Sequence, residues 1–147
     1  MHRIILPCLA ALALAACVAG QERPKPVAGP GSVAPPSGTL LSVEDYMALV
    51  KGNTIEGTSA TAGPFVVHVN QDGSQRLLFW HQGVERRVPG TLTVRDGLLC
   101  SAWEGVRGGA PRCSRIYKDG DTLHAIWADD GTWNSSYRVV PGNPRNL

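Results

Sequence analysis

The side chains with catalytic or metal-binding potential are scattered along this sequence. Three of its four histidines, His68, His81 and His124, fall in different predicted strands. Three histidines that met could bind a metal, but histidines spread over strands are more often surface or barrel-rim residues. The motifs of serine hydrolases, zinc proteases, nucleotide-binding loops and dithiol redox sites (G-x-S-x-G, H-E-x-x-H, the P-loop and C-x-x-C) do not occur. The sequence therefore predicts a non-enzymatic protein with no catalytic residues, no metal and no cofactor.

The tryptophans are the strongest indication of binding. Trp80, Trp103, Trp127 and Trp133 lie in the second half of the chain. They could line a ligand cavity, as aromatic residues do in barrel proteins with an open mouth. Tryptophan also buries a large area in a small fold, so core and turn packing is the favoured interpretation.

A glycine-rich loop at residues 104–111 is the best candidate for a recognition surface. It is the longest predicted connection between strands, and it carries Gly105, Gly108 and Gly109. Arg107 and Arg112 would offer forked donors for carboxylates or phosphates. The alternative is a hairpin loop without a binding role, which is rich in glycine because the chain must turn there. The formal net charge is only +2, and nucleic acid is not expected as a partner.

The N-terminus has the features of an export signal. His2 and Arg3 precede an apolar run over residues 4–16, which is too short to span a bilayer. Leu14-Ala15-Ala16-Cys17 resembles the lipobox of bacterial lipoproteins. The resemblance implies that residues 1–16 are a signal peptide and that Cys17 becomes the lipid-modified N-terminus, carrying palmitate-type acyl chains. Two or three such chains would make the membrane anchor effectively permanent.

The lipobox resemblance also implies a location. Residue 18 is Val and not Asp, which by similarity to enterobacterial lipoproteins favours the outer over the inner membrane. Residues 17–38 then form the lipidated cysteine and a Pro/Gly-rich tether, which has too few bulky residues to fold. As a flexible chain this tether would reach roughly 25 Å. Residues 39–147 remain as one globular domain.

The four cysteines can be assigned once this resemblance is accepted. Cys8 leaves with the signal peptide and Cys17 takes the lipid, so that Cys100 and Cys113 remain. Two leftover cysteines in an exported protein are normally bonded to each other. If residues 98–103 pair with residues 112–118 around the 104–111 loop, the two cysteines can lie opposite each other.

The globular domain opens with a helix and continues as strands. Ser42 is a good N-cap for a helix that ends at Gly52, and helical spacing joins Val43, Tyr46, Met47 and Val50. Alternating patterns and Asp-Gly turns then predict a run of about eight short strands. They begin with Phe65, Val67 and Val69 on one face and continue over residues 74–81, 84–88, 91–95, 98–103, 112–118, 122–128 and 132–140, with turns that include Pro89-Gly90. The fold class is therefore mainly β, a small antiparallel meander or up-and-down β-barrel with one short N-terminal helix.

The order of short motifs in the domain resembles an uncharacterised family. The residues concerned are Gly52-Asn53-Thr54-Ile55-Glu56-Gly57, the Asp72-Gly73 turn, the segment 94–100 followed by Trp103, and Cys113 before Asp119-Gly120. This order is similar to that of small exported proteobacterial domains grouped as domain of unknown function 995. The resemblance covers about residues 42–128 and implies no activity.

The function expected from these features is binding at the bacterial envelope. The leading interpretation is a non-enzymatic, membrane-anchored periplasmic lipoprotein that binds a protein or a small ligand. One alternative is a protein inhibitor, because residues 79–83 (FWHQG) resemble a segment of lysozyme inhibitors. The other alternative is a lipocalin-like carrier of an apolar small molecule.

Overall fold

The computed structural model describes residues 37–147. The predicted signal peptide, Cys17 and nearly all of the tether lie outside the described residues. The described part contains one α-helix, one 3-10 turn and nine strands. Their bounds are β1 Thr39–Leu40, α1 Val43–Val50, β2 Thr54–Ser59, β3 Gly63–Val69, β4 Ser74–His81, β5 Val84–Arg95, β6 Leu98–Trp103, the 3-10 turn Arg107–Gly109, β7 Arg112–Asp119, β8 Thr122–Trp127 and β9 Trp133–Val140.

Helix α1 forms where the capping residues predict it. The Ser42 hydroxyl accepts a hydrogen bond from the Asp45 N–H at 3.0 Å and donates one to the Asp45 carboxylate at 2.7 Å. This capping arrangement satisfies a backbone donor that the first turn leaves unpaired. The apolar face of α1 packs into the barrel core through Tyr46 and Val50, which are both buried. The helix therefore covers one end of the barrel.

Strands β2 to β9 form a closed antiparallel barrel. Each strand pairs with the next along the chain, and β9 returns to pair with β2 from Thr54↔Val140 to Ser59↔Ser135. Closure leaves these strands without a free edge, which is the usual reason that a meander of short strands adopts this form. The predicted mainly β, up-and-down barrel with one short helix is confirmed. Among residues 37–147, no helix is long and apolar enough to cross a membrane.

Two strand predictions are wrong: β2 is missing from them, and β5 is divided into two strands. One missing strand and one extra strand leave the predicted number of barrel strands at eight. Strand β2 was not predicted, because Ile55 is its only large apolar residue. The position of Gly57 explains this: a side chain there would meet the Ser136 carbonyl oxygen at 2.2 Å and the Tyr137 Cβ at 2.5 Å. Strand β2 thus packs very close to β9 and adds little apolar side-chain volume to the core.

The predicted turn at Pro89-Gly90 does not exist, because β5 runs unbroken from Val84 to Arg95. Glycine is required at position 90 for packing, since a Cβ there would lie 2.3 Å from Cε3 of Trp103. The Pro89 carbonyl accepts a hydrogen bond from the Glu104 N–H at 3.0 Å, so the proline is part of a paired strand. The short strand β1, which pairs with β7, was also not predicted.

The contact between β6 and β7 is the shortest seam of the barrel. Only three residue pairs join these strands, and the central pair is Cys100↔Cys113. The two cysteines form a disulfide with their Cα atoms 3.9 Å apart, which confirms the predicted bond. Beyond this point β7 pairs with β1, and the Leu41 N–H donates to the Ile116 carbonyl at 2.9 Å. Strand β1 therefore pairs with the part of β7 that β6 does not reach.

Candidate functional site

A cavity of about 330 Å³ lies inside the barrel. It opens at the end opposite α1, where β2, β4, β6 and β8 finish. Its mouth is formed by Thr61 and Ala62 between β2 and β3, and by Val106 and Arg107 in the 104–111 loop. Ligand sites in proteins typically have volumes of roughly 300–1,000 Å³, so the cavity is large enough for a small molecule.

The cavity wall is mainly apolar because of the alternation along each strand. Residues two apart in a strand face the same side, and the inward set consists largely of aliphatic and aromatic side chains. The aliphatic and phenylalanine residues of the wall are Ile55, Phe65, Val67, Leu77, Phe79, Leu92, Leu99 and Ile116. The predicted common face of Phe65, Val67 and Val69 is confirmed as an interior face.

The structure divides the tryptophans between the two interpretations. Trp103 and Trp127 line the cavity, and Trp103 also packs against the hydrophobic core, so that cavity lining and core packing are combined in this residue. Trp133 lies outside the cavity, and its indole N–H donates to the Ser136 hydroxyl at 3.0 Å. Alternation alone would not have separated them, because Trp133 is two residues from the cavity-lining Ser135. An irregularity in the pairing of β8 with β9 instead aligns Trp133 with Ile126.

Polar groups interrupt the apolar wall at a few positions. Gln75 lines the cavity with only 3% of its surface exposed, and its side-chain oxygen has no hydrogen-bond partner among the described residues. Tyr46 and Tyr137 also line it, and the Tyr137 hydroxyl donates to the Tyr46 oxygen at 3.1 Å. Burial raises the pKa of Tyr46 to about 12 and raises that of Tyr137 as well. Both tyrosines are therefore neutral hydrogen-bonding groups at physiological pH.

Arg112 lies at the cavity mouth but is held by two carboxylates. Its Nε and Nη2 atoms each donate to Asp129 at 3.0 Å, and Nη2 also donates to Asp130 at 2.8 Å. The hydrogen bond from Arg112 lowers the pKa of Asp129, whereas hydrogen bonds from Thr132 are the main cause of the lowered pKa of Asp130. The Arg112 guanidinium carbon lies 4.1 Å from the centre of the Trp127 ring. The two carboxylates thus neutralise the Arg112 charge and take up its Nε and Nη2 donors, while the guanidinium stacks on Trp127.

Arg107 is the arginine that is open to a ligand. It begins the 3-10 turn in the 104–111 loop and is exposed, with its guanidinium carbon 5.5 Å from the centre of the Trp127 ring. Within residues 37–147 it forms no ion pair. The predicted recognition loop therefore does border the cavity, and Arg107 is the cation that it places there.

The histidines lie apart from the cavity and from one another. His68 Nδ1 is 3.3 Å from the Thr54 hydroxyl, and His124 Nδ1 is 2.6 Å from the Ser136 hydroxyl. Burial lowers the pKa of His124, which favours its neutral form beside the Ser136 hydroxyl. Because Ser136 is fully buried, a substrate has no access to this serine. Within the described part of the chain, no group of three or more His, Cys, Asp or Glu side chains could hold a metal ion.

Comparison of the chain with protein-family models, with curated proteins and with solved structures finds no match.

Proposed function

We propose that this protein is a membrane-anchored lipoprotein of the bacterial envelope whose barrel binds a small, largely apolar molecule. The observation that carries the binding role is the cavity of about 330 Å³ with its mainly apolar wall. An eight-stranded barrel is just wide enough either to be filled by its own side chains or to hold one small ligand. This barrel has kept the space open.

Small side chains at inward positions keep the cavity open. Ser101, Ser114, Ala125 and Ser135 line it at positions where larger apolar residues would fill a barrel core. Unfilled apolar space costs stability, because the surrounding side chains lose contacts that a packed core would give them. A ligand that occupies the space restores those contacts, and this supports a carrier or sensor role over that of a plain scaffold.

The residues at the mouth favour a ligand with a polar or acidic outer end. Arg107 is exposed there, and the indoles of Trp103 and Trp127 line the cavity just inside. A flat or elongated apolar body could contact the two indole rings while an anionic group stays near Arg107 in the solvent. The proposed ligand is therefore amphiphilic, and the lipocalin-like alternative is the one that this geometry favours.

The proposed location depends on the N-terminal sequence. The lipobox-like Leu14-Ala15-Ala16-Cys17 supports lipid attachment at Cys17, and Val18 supports the outer membrane. A tether of this composition would let the barrel stand clear of the headgroups with its mouth accessible. Such an arrangement suits a protein that receives or presents a poorly soluble molecule in the periplasm.

Titration of the purified protein with 1-anilinonaphthalene-8-sulfonate tests the binding role. This probe has an apolar aromatic body and one sulfonate, and its fluorescence rises when it leaves water. We expect saturable binding that Ala62→Phe weakens, because Ala62 borders the mouth. The matched control is Ala110→Phe, an equally exposed alanine in the 104–111 loop that does not line the cavity. Equal weakening by both variants, or no saturable binding to the wild type, would contradict the proposal.

The contribution of Arg107 is measured with the same probe. Arg107→Ala should weaken sulfonate binding by about fivefold, since an exposed ion pair contributes up to about 1 kcal/mol. Arg95→Ala is the matched control, because it removes the same charge from the end of β5 that lies away from the mouth. The effect of Arg107→Ala should shrink at high salt, as expected for exposed charges.

A further inference from the structure

The deep end of the cavity holds an unpaired hydrogen-bond acceptor. Strand β4 runs toward the mouth, and its inward side chains in that direction are Gln75, Leu77 and Phe79. Gln75 is therefore the innermost of the three. Its side-chain oxygen is buried and has no partner among the described residues.

The position of Gln75 is unusual for an amide. Its neighbours across the two strand interfaces are Val69 and Gly90, and neither offers a side-chain donor. An amide oxygen that is buried without a donor is unfavourable, and an apolar residue of similar length would avoid that cost. Gln75 thus weakens the packed barrel unless a molecule in the cavity supplies the donor.

The oxygen of Gln75 is also more selective than the hydroxyls nearby. Ser101 and Ser114 line the cavity too, but a hydroxyl both donates and accepts and so tolerates either kind of ligand group. In the orientation that the structure shows, the part of the Gln75 amide without a partner is its oxygen, which only accepts. A site that holds a buried acceptor discriminates strongly against ligands without a donor, because binding them leaves the acceptor unpaired.

We propose that Gln75 is the specificity-determining residue of the cavity and accepts a hydrogen bond from the ligand's inner end. The ligand class is then small amphiphiles that carry a hydroxyl or an amide N–H on the end that enters first. Plain hydrocarbon tails, such as those of simple fatty acids, are disfavoured. This inference rests on the proposed function, since it requires that the cavity holds a ligand.

A pair of nearly isosteric probes separates donor recognition from hydrophobic burial. 2-Naphthol carries a hydroxyl donor, and 2-methoxynaphthalene has the same rings but cannot donate. Their affinities are measured by competition with 1-anilinonaphthalene-8-sulfonate on the wild-type protein and on Gln75→Met. The quantity of interest is the ratio of the two affinities, because differences in hydrophobicity between the probes cancel when the ratios of the two proteins are compared.

We expect Gln75→Met to lower the preference for 2-naphthol by about tenfold, mainly by strengthening the binding of 2-methoxynaphthalene. The matched control is Gln71→Met, an exposed glutamine in the turn between β3 and β4, which should leave the ratio unchanged. The thermal midpoint of Gln75→Met should equal or exceed that of the wild type, because methionine removes the unpaired acceptor. If Gln75→Met does not fold, Gln75→Leu provides the same comparison.

The outcomes distinguish the inference from the proposed function. If both probes bind and the ratio is the same in wild type and Gln75→Met, the role of Gln75 is refuted while the cavity remains a binding site. If neither probe nor the sulfonate dye binds the wild type, the proposed function itself fails. A clear fall in the thermal midpoint of the Gln75 variants, with no change in the ratio, would make Gln75 a structural residue.

Discussion

Removal of the Cys100–Cys113 disulfide should destabilise the barrel at its shortest seam. The bond spans a sequence separation of 13 residues, and closing a loop of this length contributes about 3 kcal/mol in the chain-entropy model. The seam between β6 and β7 has three residue pairs, so few other contacts there compensate for the loss. The double variant Cys100→Ser/Cys113→Ser should therefore lose about 3 kcal/mol of unfolding free energy.

Urea denaturation measures this loss. For a domain of this size the unfolding free energy falls by about 1–3 kcal/mol per molar urea, so the midpoint should drop by about 1–3 M. Wild-type protein under reducing conditions is the control without a sequence change, and it should unfold near the midpoint of the double variant. Amide exchange should speed up first in β6, β7 and the 104–111 loop that they carry.

Two results would refute this reasoning. If the oxidised wild type and the double variant unfold at the same urea concentration, the bond does not stabilise the barrel. If exchange increases uniformly over all strands, the seam between β6 and β7 is not where the barrel opens. A loss confined to the seam would also loosen Arg107 at the mouth, so probe binding should weaken together with stability.

Three further predictions concern the anchor, the buried tyrosines and strand β5. Cys17→Ser should abolish labelling by a palmitate analogue and move the protein from membrane to soluble fractions; an unlabelled wild type would refute the anchor. Because burial raises the pKa of Tyr46 from 10.0 to about 12, the unfolded chain loses this proton first, and unfolding free energy should fall by about 2 kcal/mol between pH 10 and 12. Tyr46→Phe should remove that part of the pH dependence in alkaline denaturation curves. Gly90→Ala should cost about 1–3 kcal/mol, since its Cβ would lie 2.3 Å from Trp103 and 2.6 Å from the Ala102 carbonyl oxygen; a thermal midpoint equal to that of the wild type would show that the ring and the β6 backbone can both move aside.

Local patterns in the sequence are sufficient for much of the fold. The Ser42 cap, the helical spacing through Val50 and the Asp-Gly turns predict α1 and most strands, because capping and tight turns depend on a few adjacent residues. The disulfide is predicted from the export that the N-terminal sequence implies and from the opposed strand positions of Cys100 and Cys113. The lipid anchor at Cys17 is also a local signal, and it stays a prediction.

Strands β2 and β5 show where local patterns fail. Gly57 and Gly90 look like breaks in the sequence, yet each lies within a strand where another residue comes too close for a side chain. Tyr137 packs against Gly57 although the two residues are distant in the sequence. Trp103 packs against Gly90 only because the strands that carry them pair with each other. A glycine required for close packing and a glycine required for a turn look alike until the partners are known.

The sequence by itself determined α1, the mainly β class and most of the strands, because periodicity, caps and turns act over a few residues. Only the tertiary structure decided that β9 closes onto β2, that Ser101, Ser114 and Ala125 leave a cavity, and that Arg107 and not Arg112 is open at its mouth. Volume and charge pairing depend on side chains that meet across the barrel, and those distances are fixed by closure, not by sequence spacing.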